Sequence, residues 1–339
     1  MARVWARRAR AAWRVLLAVA LIAAALAPAA SSARVARPYQ DSIAYRRAWG
    51  LRAIGADAAY QAGYTGRGVR VALIDCGLSH PKRQLRRNLS RESADMVTPR
   101  LQPGVDPHGL WVAEPLGAGL NTMGLVGVAY NATLLEIRAD MDGGYKGECA
   151  FWPTDIARAL NYAVDHGARI IVLPVQAKHA LGPAFEAALT HVVESGAVVV
   201  AAAGNDNQDQ PAFPAQYAAD PRFAAAMVVA GAGTFEGDIA AWSARAGPAR
   251  ARFVVAPGEW ILTDCSWKCQ FASGTSFAAP FVAGAVALMM EAHPELSGPQ
   301  AAERVLAAAR DAGAPGADEV YGRGMLDLSH AFEPERASN

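Results

Sequence analysis

The sequence predicts an α/β domain whose mainly parallel sheet is covered by helices on both faces. Short continuous aliphatic runs at Val69 to Ile74, Arg169 to Val175 and Ala197 to Ala203 read as strands buried on both sides, because they lack the in/out alternation of a half-exposed strand. Between them lie stretches with apolar residues at helical spacing, and that alternation of helix with doubly buried strand is the mark of crossover-connected parallel strands.

The elements follow in order. Arg34 to Arg47 is polar and without periodicity, and a helical pattern runs from Leu51 to Gln61. Glycines at 63, 66 and 68 then force a turn before the Val69 to Ile74 strand, which ends at Asp75 and Gly77. Thr133 to Ile137 is a further strand. Ile156, Leu160 and Ala163 share one face of a helix over Thr154 to His166, with Thr154 or Asp155 as N-cap and Gly167 past its end. Phe185, Leu189, Val192 and Val193 repeat at helical spacing up to Gly196. Strands are expected at Met227 to Gly231 and Phe253 to Ala256, and a long apolar helix at Ser276 to Ala292. In such sheets chemistry gathers at the carboxyl ends of the strands, where Asp75 and Asn205 lie.

The chain carries 32 Lys+Arg against 31 Asp+Glu, a net charge of +1, so no basic field recommends a nucleic acid as partner. The first segment concentrates positive charge in Arg3, Arg7, Arg8, Arg10 and Arg14, followed by an apolar run from Val15 to Ala27, Pro28 and small residues to Ala33. That order describes a secretory signal over residues 1–33, too short an apolar run for the roughly 20 residues a membrane span needs. Cleavage between Ala27 and Ala36 is expected, leaving a secreted or periplasmic protein without stable membrane association. The Arg7-Arg8 pair fits a twin-arginine signal loosely.

Export permits disulfides among Cys76, Cys149, Cys265 and Cys269. Cys265 and Cys269 flank Ser266-Trp267-Lys268 at an expected hairpin tip and are close enough to be joined. Cys76 and Cys149 are then either reduced and buried or paired with each other. Metal binding by cysteine is not expected, since the spacings lack the His or Cys companions of a zinc site.

Four stretches carry the chemistry: VALIDCG around Asp75, DPHGLWVAE around His108, VVVAAAGN ending at Asn205, and ASGTSFAAPFVAG around Ser276. Each alone reads as ordinary structure, an aspartate as a turn residue, a histidine as a helix residue, a Gly-Thr-Ser as an N-cap. Together, and in the order Asp, His, Ser, they resemble the subtilisin-like serine peptidases, or subtilases. The resemblance spans Trp49 to Phe332 and implies a subtilisin-like three-layer α/β fold in one peptidase domain, 49–332, after a short segment 34–48 and before a tail 333–339. It implies Asp75, His108 and Ser276 as catalytic triad, Asn205 as oxyanion donor, and substrate contacts from Pro174, Val175, Gln176, Ala202, Ala203 and Gly204. A serine is a poor nucleophile at its free pKa, so His108 would take its proton while Asp75 fixes the imidazole tautomer.

Several positions depart from the family pattern. Leu110, Trp111 and Glu114 replace its threonine, second histidine and glycine, and Pro115 falls within the helix that His108 opens, so a shortened or bent helix is expected. The edge that pairs with substrate backbone reads Pro174-Val175-Gln176 instead of Ser-Leu-Gly. Lys82 stands where the family places a calcium-binding carboxylate, near Asn121, so the resemblance's calcium site is expected to be absent and no cofactor is called for; a weaker site among Asp140, Asp142 and Glu148 stays open. Residues 36–48 are too few for the family's folding-assisting propeptide, and little follows Phe332 that could form a further domain.

The reading is a monomeric secreted serine endopeptidase acting on protein or peptide substrates. Its alternative is a secreted subtilase-fold binding protein with a drifted cleft, favoured by the changes at Leu110 to Pro115 and Pro174 to Gln176 and opposed by the intact triad and Asn205. An esterase or lipase would carry the nucleophile in G-x-S-x-G, and Ser276 sits in Gly-Thr-Ser-Phe-Ala.

Overall fold

A computed structural model describes residues 42–333, apart from 79–83, 103–105, 121–123, 147 and 265–268. The expected signal at residues 1–33, the bridge partner Cys265, and Lys82 and Asn121 of the calcium argument lie outside the described residues. Seven strands form one sheet: β1 (Arg70–Asp75), β2 (Ala94–Asp95), β3 (Thr133–Arg138), β4 (Ile170–Leu173), β5 (Val198–Ala202), β6 (Met227–Gly233) and β7 (Phe253–Pro257), in the order β2-β3-β1-β4-β5-β6-β7. Every pairing in it is parallel. A separate antiparallel pair joins β8 (Ile261–Thr263) to β9 (Gln270–Ala272); the tip read from the sequence falls on residues 265–268, outside the described residues.

Side chains alternate between two apolar layers, as strand geometry requires. Val71 and Leu73 of β1, Leu134 of β3 and Val172 of β4 face a layer shared with the helices α4 (His108–Gly117), α7 (Thr275–Ala292) and α8 (Gly298–Ala307). Ala72, Ile74, Leu135 and Leu173 face the opposite layer, made by α5 (Pro153–Asp165) and α6 (Pro183–Ser195). The helix α7 is buried all round, so its length and apolarity match a membrane span although it is the central helix of the core. Its first turn lies at the carboxyl ends of the strands.

Differences from the sequence reading have local causes. The pattern over Leu51 to Gln61 is two helices, α2 (Trp49–Ala53) and α3 (Ala56–Gln61), broken where Gly55 takes a left-handed φ of 64°. The segment read as aperiodic contains a short helix, α1 (Ile43–Arg47), started by the Ser42 side chain accepting the Tyr45 N–H. At α5 neither Thr154 nor Asp155 is the N-cap: Trp152 holds that place and Pro153, pre-set for helical φ, occupies the first turn. The strand expected to reach Val175 ends at Leu173, because Pro174 has no N–H to continue a ladder. Pro115 does not shorten α4, which continues to Gly117. The last helix, α9 (Leu328–Ala331), is capped by the Asp327 side chain.

Candidate active site

Asp75 ends β1 on the same face as Val71 and Leu73, the face lined by α4 and α7, so strand alternation alone aims its carboxylate at the starts of those two helices. It is fully buried. Oδ1 accepts the Cys76 N–H at 2.6 Å, and both carboxylate oxygens lie 3.0 Å from Nδ1 of His108, the first residue of α4. With Nδ1 bound to a carboxylate it is the protonated nitrogen, and Nε2 is left as the acceptor.

Asp106 anchors the histidine from the other side. Its Oδ1 accepts the His108 N–H at 2.9 Å and its Oδ2 accepts the Cys149 N–H at 3.3 Å. Cys149 is in turn disulfide-bonded to Cys76, with Cα atoms 6.0 Å apart. The residue after Asp75 is thus covalently tied to the residue that shares Asp106 with His108. Cys269 is also disulfide-bonded. Burial pulls the His108 pKa down, but Asp75 by charge and hydrogen bond, and Asp106 by charge, outweigh it and raise it above the usual value.

Ser276 is the second residue of α7, so its backbone N–H has no intrahelical partner. Its hydroxyl donates to the Pro174 carbonyl at 3.0 Å. A hydroxyl has one proton, so in this arrangement it is not donated to the imidazole. The Phe277 ring meets the imidazole edge-on at 5.8 Å between centroids. His108, Pro174, Val175 and Gln176 border a cavity of about 530 Å³, continued by Glu148, Phe151 and Leu181.

Asn205 follows β5. Its Oδ1 accepts both the N–H and the Oγ1–H of Thr275 at 2.9 Å, which fixes the amide orientation. Of the other residues expected to bind substrate, Pro174, Val175 and Gln176 border the cleft. Ala202, Ala203 and Gly204 do not offer themselves: all three are buried, the Ala203 N–H and carbonyl bond Ala230 and Ala212, and the Gly204 N–H goes to Thr275 Oγ1. Of the carboxylates left open as a weaker cation site, Asp140 is paired with Arg100 and Arg138, and Asp142 accepts the N–H groups of Leu101 and Gln102.

Sequence reasoning did not single out Asp106, Thr275 or Glu136. The Asp-Pro pair before the His108 helix is an N-terminal helix signal that could have drawn attention to Asp106. A glutamate within the apolar strand Thr133 to Ile137 was likewise visible as a charge in a doubly covered sheet.

A parallel sheet between two helical layers, with a buried aspartate at the carboxyl end of β1 bonded to a histidine and a serine in the first turn of α7, places the molecule in the class of subtilisin-like α/β proteins. The family model described as the subtilase family, peptidase S8, matches residues 66–324. Subtilisin E of Bacillus subtilis (strain 168) is 30% identical over 312 residues, covering 88% of this chain and 74% of its own. Subtilisin BL of Lederbergia lenta is 30% identical over 285 residues, covering 84% and 97%. Among solved structures, the MycP3 protease from the type VII (ESX-3) secretion system shares the fold at a TM-score of 0.66 and 24% identity, over 84% of this chain and 88% of that one. A protease structure from Pseudoalteromonas arctica does so at 0.71 and 23%, over 85% and 96%. The chain belongs to the subtilase family and is a serine-type endopeptidase, with peptides or proteins as its substrates.

Proposed function

We propose that this chain is an exported endopeptidase that hydrolyses peptide bonds through an acyl-enzyme on Ser276, with His108 as general base and acid, Asp75 as the imidazole's partner and Asn205 as oxyanion donor. The observation that carries the reading is the Asp75–His108 pair: a buried carboxylate bound at 3.0 Å to Nδ1 leaves Nε2 free to take a proton. Ser276 leaves the Pro174 carbonyl by rotation of its side chain and gives its proton to Nε2 as Oγ attacks the substrate carbonyl. The negative charge that builds on the carbonyl oxygen meets the Asn205 amide N–H, the Ser276 N–H, which has no acceptor among the described residues, and the positive end of α7. His108 then protonates the leaving amine, and water releases the acyl group by the same steps in reverse roles.

Export is supported by the basic and apolar order of residues 1–33 and by the Cys76–Cys149 disulfide, a bond that persists in oxidising compartments. The test is reaction of the mature protein with a fluorophosphonate probe. Label on Ser276, lost in Ser276→Ala and His108→Ala while their thermal melts stay cooperative, is the expected result. A folded protein that takes no label points to the binding-protein alternative.

A further inference from the structure

We infer that Gln176 is a gate that restricts the residue supplying the scissile carbonyl to small side chains, glycine, alanine or serine. The inference rests on the proposed roles of Ser276 and Asn205. On those roles, a substrate carbonyl within reach of Ser276 Oγ and with its oxygen toward the Asn205 amide would set its own residue's side chain into the crevice where the chain leaves β4 and β5. These strands are neighbours up to the pair Leu173↔Ala201, and beyond it their continuations form the two walls.

Gln176 spans those walls. Its Oε1 accepts the Asn205 N–H at 2.9 Å, and its Nε2 donates to Asp206 Oδ2 at 3.2 Å. The back of the crevice is closed by the chain at 212–213: Ala177 and Phe213 exchange two backbone hydrogen bonds of 2.7 and 3.1 Å, and the Ala212 N–H reaches the Ala203 carbonyl at 2.7 Å. A Cβ placed on Gly204 would stand 3.0 Å from the Ala212 Cβ and 3.6 Å from Gln176 Oε1, so the volume beside that glycine is already filled. On this inference the filled volume and the bridge across it leave room for no more than hydrogen or a single methyl group. A leucine or phenylalanine side chain requires Gln176 to give up both bonds and swing outward, which its exposed position allows at a cost in rate.

A purely structural tie from Gln176 to Asn205 predicts something different. Loss of the tie would then slow all substrates by one factor, since the oxyanion donor serves each of them alike. The two roles separate in a ratio. Peptides identical except for glycine, alanine, serine, leucine or phenylalanine at this position are hydrolysed by wild type, Gln176→Gly and Gln176→Ala, each titrated first with a fluorophosphonate to count active sites. Wild type is expected to show kcat/KM at least about tenfold higher for alanine than for phenylalanine, and Gln176→Gly to raise the phenylalanine-to-alanine ratio by at least about tenfold, with Gln176→Ala between. Equal rates for alanine and phenylalanine in wild type, or variants that slow every peptide equally, overturn the gate while leaving the peptidase reading intact. A wild type that neither labels nor cleaves any peptide overturns both.

Discussion

Asn205 Oδ1 accepts two hydrogen bonds from one residue, Thr275, through its backbone N–H and its hydroxyl, both at 2.9 Å. Both acceptor sites of the amide oxygen are thereby filled from one side, and Nδ2 is the end left to serve as the proposed oxyanion donor. Asn205→Leu is expected to lower kcat by about 10²–10³ with little change in KM, because the lost donor acts on charge that develops in the transition state. Thr275→Val removes one of the two anchors and is expected to lower kcat by about tenfold through a less fixed amide. Steady-state kinetics on one peptide decides it: a change confined to KM would make Asn205 a ground-state binding residue.

A second expectation concerns pH. General-base action requires neutral His108, so kcat/KM rises as the imidazole loses its proton. Asp75 and Asp106 hold that proton more strongly than burial expels it, so the rise falls above the usual histidine value of about 6.5. Asp106→Asn keeps the acceptor for the His108 N–H but removes a negative charge, and the acid limb should move to lower pH. A limb that stays in place in the variant would show that Asp106 acts on His108 by geometry alone.

Glu114, at the family's usual glycine in α4, is fully buried, with Oε1 on Gln84 Nε2 at 2.7 Å and Oε2 on the Asp264 N–H at 2.6 Å. It joins the helix of His108 to the hairpin β8–β9. Glu114→Ala removes both bonds from a fully buried position and is expected to cost about 1–3 kcal/mol, with Glu114→Gln costing less because one acceptor remains. Urea unfolding with unchanged slope measures this, and a loss below about 0.5 kcal/mol would place Glu114 among residues of no structural weight.

The same residue shows where the sequence stopped being informative. Asp75, His108 and Ser276 were legible because each closes or opens a periodic element, and their shared face follows from strand alternation. Glu114 read as a departure from the pattern, since its partners Gln84 and Asp264 are 30 and 150 residues away along the chain. The two-residue strand Ala94–Asp95 has no period to detect and is defined by pairing with Ile137 and Arg138. The Cys76–Cys149 bond closes a separation of 73 residues, and the Gln176 bridge spans two loops beyond β4 and β5. Contacts of this kind are set by the assembled layers, not by local pattern.

Calcium dependence offers a fourth expectation. The sequence resemblance puts Lys82 where a calcium carboxylate would be expected, and on that reading an ammonium about 4 Å from a divalent cation would repel it by ~2 kcal/mol even in water. Thermal melts in chelator and in millimolar calcium should therefore coincide. A large upward shift with calcium that Lys82→Asp does not enlarge would contradict the charge argument.

Glu136 supplies the last. It lies on β3 opposite Leu73 in register, on the same sheet face as Leu134 and Asp75, and its Oε1 is buried without a hydrogen-bond partner among the described residues. Burial first, then the charges of Asp75 and Asp95, push its pKa up to about 8 against the opposing pull of Arg138. An unfolded glutamate titrates near 4.5, so between about pH 4.5 and 8 the folded chain holds a proton that the unfolded chain does not. Stability from this group is complete below the unfolded value and is lost as pH rises toward the folded one. Glu136→Gln has nothing to titrate, and other groups cancel between the two proteins. The variant's stability relative to wild type should therefore rise from pH 5 to pH 8, by about 1–3 kcal/mol in denaturant unfolding. Parallel stability curves across that range would mean that Glu136 is ionised and solvated in the native protein at neutral pH.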